Sequence, residues 1–133
     1  MAKTELFARK QSGGMFSIVN ETMTTGNILF VNSVTGVDSA GGGQNPDAPL
    51  ATLDYAIGLC TANRGDTVIV LPGHAENVVD ATMLDALVPG TNIIGVPLGA
   101  ASPTFTWTAT ASQWIMNDAN VRVAGLCLKI DGA

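Results

Sequence analysis

The only histidine of the chain lies in a polar stretch that also contains two carboxylates. His74 is followed by Glu76 and Asp80, and only Pro72 and Gly73 separate it from an apolar run at 68–71. A histidine beside carboxylates can work as an acid–base pair or bind a metal ion. The stretch has no second histidine and no cysteine to complete a metal site. We therefore expect His74 and Glu76 to satisfy backbone groups at a corner of the fold.

The remaining acidic residues do not form a recognisable site either. Asp38, Asp47 and Asp54 lack the Asp-x-Asp-x-Asp-Gly spacing of a calcium loop. Asp66 and Asp85 stand alone, so no pair of carboxylates is placed for acid–base work on a glycosidic bond. The sequence predicts no catalytic, cofactor-binding or metal-binding residue, and no cofactor.

The composition favours a β protein interrupted by glycines. The chain has 133 residues, of which 47% are hydrophobic, 13% are charged and 15 are glycine. With a net charge of −5 and six lysines and arginines, it has no basic surface for nucleic acid. No apolar run approaches the roughly 20 residues that span a bilayer, and the first residues do not resemble a signal peptide. We expect no nucleic-acid or membrane partner, and we expect synthesis in a cytoplasm.

Three elements can be located from local pattern. NILFVN at 27–32 and TVIVL at 67–71 are typical of strands. Thr52 is a candidate N-cap for a helix near 52–61. The apolar residues at helical spacing in that segment are Leu53, Ala56, Ile57 and Cys60.

A loose repeat begins at the strand predicted over 67–71. The segment that begins at Gly65 aligns with the one that begins at Gly90, an offset of 25 residues, and Gly125 lies 30 residues beyond Gly95. Short strands separated by turns at such periods indicate a solenoid. No segment between the repeats has the pattern of a crossover helix, which disfavours a doubly wound α/β sheet. We predict an all-β fold, a parallel β-helix over 27–133, preceded by an extended arm at 1–26.

Two motifs support this architecture. "PDAPLATLDYAI" and "RGDTVIVLPG" resemble the N-terminal entry of right-handed parallel β-helices in the pectate-lyase-like superfamily, in which a helix caps the open end and Gly-Asp-x-Val begins the first rung. The matching residues are Pro49, Thr52, Leu53, Ala56, Ile57, Gly65, Asp66 and Val68. The resemblance implies a short right-handed β-helix with an N-terminal capping α-helix. It implies no activity, because that superfamily includes lyases, epimerases, tailspikes and inert structural proteins.

A closer resemblance covers residues 24–76. "TTGNILFVNSVTGVDSAGGGQNPDAPLATLDYAIGLCTANRGDTVIVLPGHAE" is similar to a recurring family of bacteriophage and prophage proteins encoded among virion structural genes. This resemblance implies a virion component. The preferred interpretation is a capsid decoration (cement) protein that contacts the major capsid protein.

The length of the predicted solenoid indicates association. From Val68 onward there is room for about two and a half rungs, whereas about three repeats are the minimum for a stable solenoid. We expect missing contacts to come from other copies, most simply in a homotrimer. A substrate groove needs several adjacent rungs, so we expect no enzyme.

Six residues are candidates for interfaces. The arm contains four of them, Met15, Phe16, Ile18 and Val19, which have no local core. Such an arm can add a strand to a neighbour's sheet edge, or fold back over its own first rung. The other two are Trp107 and Trp114, which could serve as interface anchors, as core residues or as platforms for sugars.

Two other functions remain open at this point. One is a structural subunit of a tail fibre, spike or connector, and the other is a polysaccharide-binding or polysaccharide-degrading β-helix protein. Cys60 and Cys127 are interpreted as small buried hydrophobic residues that form no disulfide.

Overall fold

The computed structural model describes residues 7–9, 16–18, 26–79, 88–116 and 118–131. These residues form nine short strands, one six-residue helix and one 3-10 turn. Within these ranges, the strands of the main body pair in parallel. The prediction of a mostly β protein is confirmed. None of the helices in the described part of the chain has the length and apolar character needed to span a membrane.

The N-terminal segment contains a pair of antiparallel strands. Strand β1, Phe7–Arg9, pairs with β2, Phe16–Ile18. The register places Phe7 opposite Ile18 and Arg9 opposite Phe16. Met15 and Val19, two of the predicted interface residues, lie outside the described residues.

The main body alternates between two parallel sheets. Its elements in chain order are β3 (Ile28–Val31), helix α1 (Leu53–Gly58), β4 (Thr67–Val70), β5 (Ala75–Val78), β6 (Asn92–Gly95), the 3-10 turn Gly99–Ala101, β7 (Thr104–Trp107), β8 (Arg122–Ala124) and β9 (Cys127–Ile130). The first sheet has the order β3-β4-β6-β8 and the second has the order β5-β7-β9. From β4 onward, each strand of the first sheet is therefore followed by a strand of the second.

The strand register confirms the repeat seen in the sequence. Val68 pairs with Ile93, which is the offset of 25, and Ile94 pairs with Ala124, which is the offset of 30. The glycines at the ends of these strands approach closely, because a Cβ atom on Gly95 would overlap the carbonyl group of Gly125. Glycine at both positions lets neighbouring coils stack at this corner.

Helix α1 begins at a capped N-terminus. Thr52 is extended and its hydroxyl oxygen accepts a hydrogen bond from the backbone N–H of Tyr55 at 3.3 Å. The carboxylate of Asp38 in turn accepts from the Thr52 hydroxyl at 2.8 Å. The helix ends at Gly58, so the predicted helix near 52–61 is present only as six residues, less than two turns. The structure does not show it as an N-terminal cap on a closed β-helix.

The interior lies between the two sheets and α1. Strand alternation points every second residue inward, and paired strands align these residues into columns. One column contains Leu29, Val68 and Ile93, all buried. The whole interior cluster consists of Val31, Leu50, Leu53, Ala56, Ile57, Val68, Val70, Val78, Ile93 and Phe105.

The free edge of β3 is paired by the chain itself. The N–H of Phe30 donates to the carbonyl of Gly43 at 2.7 Å, and the N–H of Leu50 donates to the carbonyl of Phe30 at 2.8 Å. The glycine-rich loop that follows β3 thus acts as an additional strand partner and satisfies backbone groups that would otherwise be open.

Candidate functional site

His74 and Glu76 lie where the chain passes from the first sheet to the second. His74 follows the turn after β4, and its N–H donates to the carbonyl of Leu71 at 3.3 Å. The sequence predicted Glu76 in the turn, but the structure places it inside β5. In this strand Ala75 and Asn77 are exposed while Glu76 and Val78 are buried. Glu76 therefore occupies an inward position that is normally apolar.

Hydrogen bonds to one oxygen of this carboxylate, Oε2, offset part of the cost of its burial, whereas the buried Oε1 has no hydrogen-bond partner among the described residues. The N–H of Ser33 donates to Nδ1 of His74 at 3.1 Å, so Nδ1 has no proton and Nε2 has one. Nε2 lies 3.0 Å from Oε2 of Glu76 and donates to it. The same oxygen accepts from the N–H of Leu53, the first residue of α1, at 3.1 Å. The pair thus joins the loop after β3, the start of α1 and the second sheet.

This arrangement supports a structural role for the pair. His74 is 1% exposed and Glu76 is 8% exposed, so a bound polymer could not reach either group. The ring of His74 also packs on Phe105, with centroids 5.1 Å apart. Asp80 lies outside the described residues. Among the described residues, no group of three or more histidines, cysteines or acids is placed to hold a metal ion.

Asp66 is a second buried group that connects distant segments. Its carboxylate accepts from Nε and Nη2 of Arg64 at 2.7 Å each, from the N–H of Asn27 at 2.7 Å and from the N–H of Thr61 at 2.7 Å. Burial alone would raise the pKa of Asp66, but the hydrogen bonds from Arg64 and from the two N–H groups outweigh it and hold the pKa below its ordinary value. Asp66 of the Gly-Asp motif thus joins the N-terminal ends of β3 and β4 to the segment after α1 through hydrogen bonds.

The two cysteines differ from the prediction in burial. Both are free thiols, but Cys60 is only half-buried and Cys127 is exposed. Burial and the nearby charge of Asp66 raise the pKa of Cys60 to about 11. The Cys60 thiol donates to the carbonyl of Ala56 at 3.3 Å. The interpretation as buried residues is wrong for Cys127, because its position in β9 points outward.

Trp107 and Trp114 form a stacked pair beside the interior. Their ring centroids are 6.4 Å apart with an interplanar angle of 25°. Both are half-buried and pack against the interior cluster, and Trp114 also lies 6.0 Å from the ring of Phe105. The structure thus brings the two predicted tryptophans together.

The apolar columns become exposed at β9. The column that contains Glu76 and Phe105 continues to Leu128, and the column that contains Val78 and Trp107 continues to Ile130. Phe105 is fully buried, whereas Leu128 is 60% exposed and Ile130 is 83% exposed. The inward residues of the last described strand, Leu128 and Ile130, are therefore exposed. Trp107 pairs with Ile130 and stacks with Trp114, and we call these four residues the β9 end.

Leu128 and Ile130 were not among the residues predicted from the sequence. The signal was present, because "CLKI" alternates and every second residue is apolar. The partners of the His74–Glu76 pair could not be found in this way, because Ser33 and Leu53 are far from it in sequence and contribute backbone N–H groups, Ser33 to His74 and Leu53 to Glu76.

Comparisons with family models, with curated proteins and with solved structures found no match for this chain.

Proposed function

We propose that the coils form a short right-handed parallel β-helix, with α1 covering its N-terminal end. The parallel register of both sheets and the alternation between them support this arrangement. Connections between parallel strands are right-handed in nearly all known cases. The inward residues of α1, Leu53, Ala56 and Ile57, belong to the interior cluster, as expected of a helix placed over the end of a solenoid.

We further propose that this β-helix is a non-enzymatic structural protein of a bacteriophage or prophage particle. Its most direct role is that of a capsid decoration protein that binds the major capsid protein and copies of itself, in a homotrimer, and so stabilises the head. The likeness of residues 24–76 to proteins encoded among virion structural genes supports the assignment to a particle. The protein would be made in the host cytoplasm and work in the virion.

The observation that supports adhesion best is the exposure of the β9 end. Fully burying a leucine or isoleucine contributes roughly 1.5–3 kcal/mol, so covering Leu128 and Ile130 would favour association by several kcal/mol. Tryptophan is enriched at the centre of interfaces; Trp107 pairs with Ile130 in register, and its ring stacks with that of Trp114. Repetition of such a contact over a symmetric lattice multiplies its effect.

Two other functions fit the observations less directly. A tail fibre or connector subunit would use the same adhesion, and the number of copies in a particle separates it from a head protein. A polysaccharide enzyme needs accessible acid and base groups, and the histidine–glutamate pair is buried. A glycan-binding module would use the tryptophan pair, but its packing against the interior leaves less of each ring for a sugar.

Binding to particles that lack this protein tests the proposal. Ile130→Lys places a charge in the β9 end, and we expect the amount of particle-bound protein to fall at least tenfold. Lys129→Ala is the matched control, because this neighbour points outward on the same strand, and its binding should equal that of the wild type. Equal binding of wild type and Ile130→Lys would reject the β9 end as the contact surface. A failure of the wild type to bind any particle would reject the decoration function.

A further inference from the structure

One of the two columns on the outward face of the first sheet is apolar, whereas the other, beyond Ile28, consists of Thr67, Asn92 and Arg122. Phe30 of β3, Ile69 of β4 and Ile94 of β6 are paired in register and form one column on this face. All three are half-buried, and Ile28 on the same face is 42% exposed. Among the described residues, none of the three packs against the interior cluster. We call Phe30, Ile69 and Ile94 the outer ladder.

The second sheet shows what a solvent-facing column looks like in the same molecule. Its corresponding outward residues are Asn77, Thr106 and Lys129, which are also paired in register. Two of them are exposed, and all three are polar. A sheet face that meets water is typically polar, whereas a face covered by another layer is apolar. The contrast indicates that the outer ladder is covered by another part of the protein or by a partner.

The N-terminal hairpin, for its part, lacks a layer on which to pack. Strands β1 and β2 pair with each other and with no other described strand. An isolated two-stranded hairpin is at best marginally stable in water and needs a further layer to pack on. In the register, positions 7, 9, 16 and 18 alternate with positions 8 and 17, and three of those four residues are apolar in the sequence, Phe7, Phe16 and Ile18, while the fourth is Arg9. Ala8 and Ser17 occupy the alternate positions.

The connection between the two is short. Seven residues, 19–25, separate the end of β2 from Gly26, which precedes β3. An extended chain covers up to about 3.3–3.6 Å per residue, so this linker reaches roughly 25 Å. Neighbouring strands are about 4.8 Å apart, so the ladder from β3 to β6 spans about 10 Å. The hairpin can therefore reach every strand of the ladder of its own chain, at a high effective concentration.

We propose that the outer ladder is the docking site of the β1–β2 hairpin of the same chain, which adds a third layer over the first sheet. Of the two roles that the sequence left open for the arm, this is the one in which it folds back. The hairpin is then occupied within its own subunit, and the β9 end is the surface left for partners. The proposal concerns the isolated protein and does not rest on the virion function, so either can fail alone.

A double-mutant cycle on the full chain tests the contact. The variants are Phe16→Ala, Ile69→Thr and their combination, because Thr keeps the β-branched shape and removes the apolar contact. In the wild-type background we expect Ile69→Thr to raise the unfolding equilibrium constant about tenfold. In the Phe16→Ala background we expect less than a threefold effect, because the contact is already lost. Ser17→Ala and Thr106→Ala, at an alternate hairpin position and on the other sheet, are the controls and should be additive with both.

Hydrogen exchange gives a second readout that does not require the hairpin variant to fold. In Ile69→Thr, the amides of 7–9 and 16–18 should exchange at least tenfold faster than in the wild type, while those of β5 and β7 stay unchanged. Equal effects of Ile69→Thr in both backgrounds, or unchanged exchange of the hairpin, would overturn the proposal. Coupling that disappears on dilution from 100 μM to 1 μM would show that a second copy provides the hairpin, and would also overturn it.

Discussion

At the residue scale, buried polar side chains hold together segments that are far apart in sequence. The His74–Glu76 pair receives N–H groups from Ser33 and Leu53, and Asp66 receives them from Asn27 and Thr61. Each of these carboxylates is desolvated, and hydrogen bonds to both oxygens of Asp66 and to Oε2 of Glu76 offset part of that cost. Loss of one member should therefore be costly, because it leaves the others without partners.

His74→Ala is expected to lower the free energy of unfolding by about 3 kcal/mol. The change removes the acceptor of the Ser33 N–H, leaves the Glu76 carboxylate without one donor, and opens a cavity beside Phe105. Urea unfolding measures the loss. Asn77→Ala, an exposed position on the same strand, is the control and should change stability by less than about 0.5 kcal/mol. A similar small change for His74→Ala would contradict the role given to the pair.

Asp66 predicts a specific dependence of stability on acid. Because its pKa is lower in the folded state than the ordinary value of about 3.9, the folded state favours the charged form. The resulting stability is fully present above about pH 4 and is lost as the pH falls through the lowered folded value. We expect the stability of Asp66→Asn, followed by thermal unfolding from pH 7 to pH 2, to fall less with acid than that of the wild type.

The control for this experiment is Asp47→Asn, which removes one negative charge from an exposed loop. Its curve should run parallel to that of the wild type. If the curves of Asp66→Asn and the wild type have the same slope below pH 4, the hydrogen bonds around Asp66 do not have the assigned effect.

At the scale of elements, local pattern predicted the strands that are purely apolar and the spacing of the coils. NILFVN and TVIVL became β3 and β4, and the offsets of 25 and 30 are those of the paired strands. Strand β5 was not predicted, because Ala-Glu-Asn-Val has one strongly apolar residue and a charge at an inward position. The partner of that charge is a histidine fixed by tertiary contacts, which no local pattern contains. The helix was predicted too long, since its inward residues end before Cys60.

The stacked corner at Gly95 and Gly125 provides a test at this scale. Gly125 has a φ of 74°, and an added Cβ would meet the carbonyl group of Gly95. We expect Gly125→Ala to lower the free energy of unfolding by more than about 1 kcal/mol, from backbone strain and from steric overlap. Gly58→Ala is the control, because its Cβ would meet nothing within 4 Å and alanine favours the helix by up to about 1 kcal/mol. A harmless Gly125→Ala would contradict the close stacking of these coils.

At the scale of the whole molecule, the sequence predicted a stack of parallel coils, and the structure shows the parallel sheets. It did not predict which surfaces are left apolar. The β9 end and the outer ladder appear only when register and burial are combined, since each column draws its residues from three strands. In the proposals made above, the hairpin covers the outer ladder and a partner covers the β9 end. The proposed function then depends on contacts between surfaces.

The number of copies in purified particles tests the central claim most directly. Quantitative mass spectrometry against the major capsid protein measures this number, and electron microscopy of labelled particles locates the protein. A decoration protein should be present in hundreds of copies on the head. A few copies or a few dozen at the tail would support the connector or fibre alternative instead. Absence from the particles, or a soluble monomer that cleaves polysaccharide, would contradict the account.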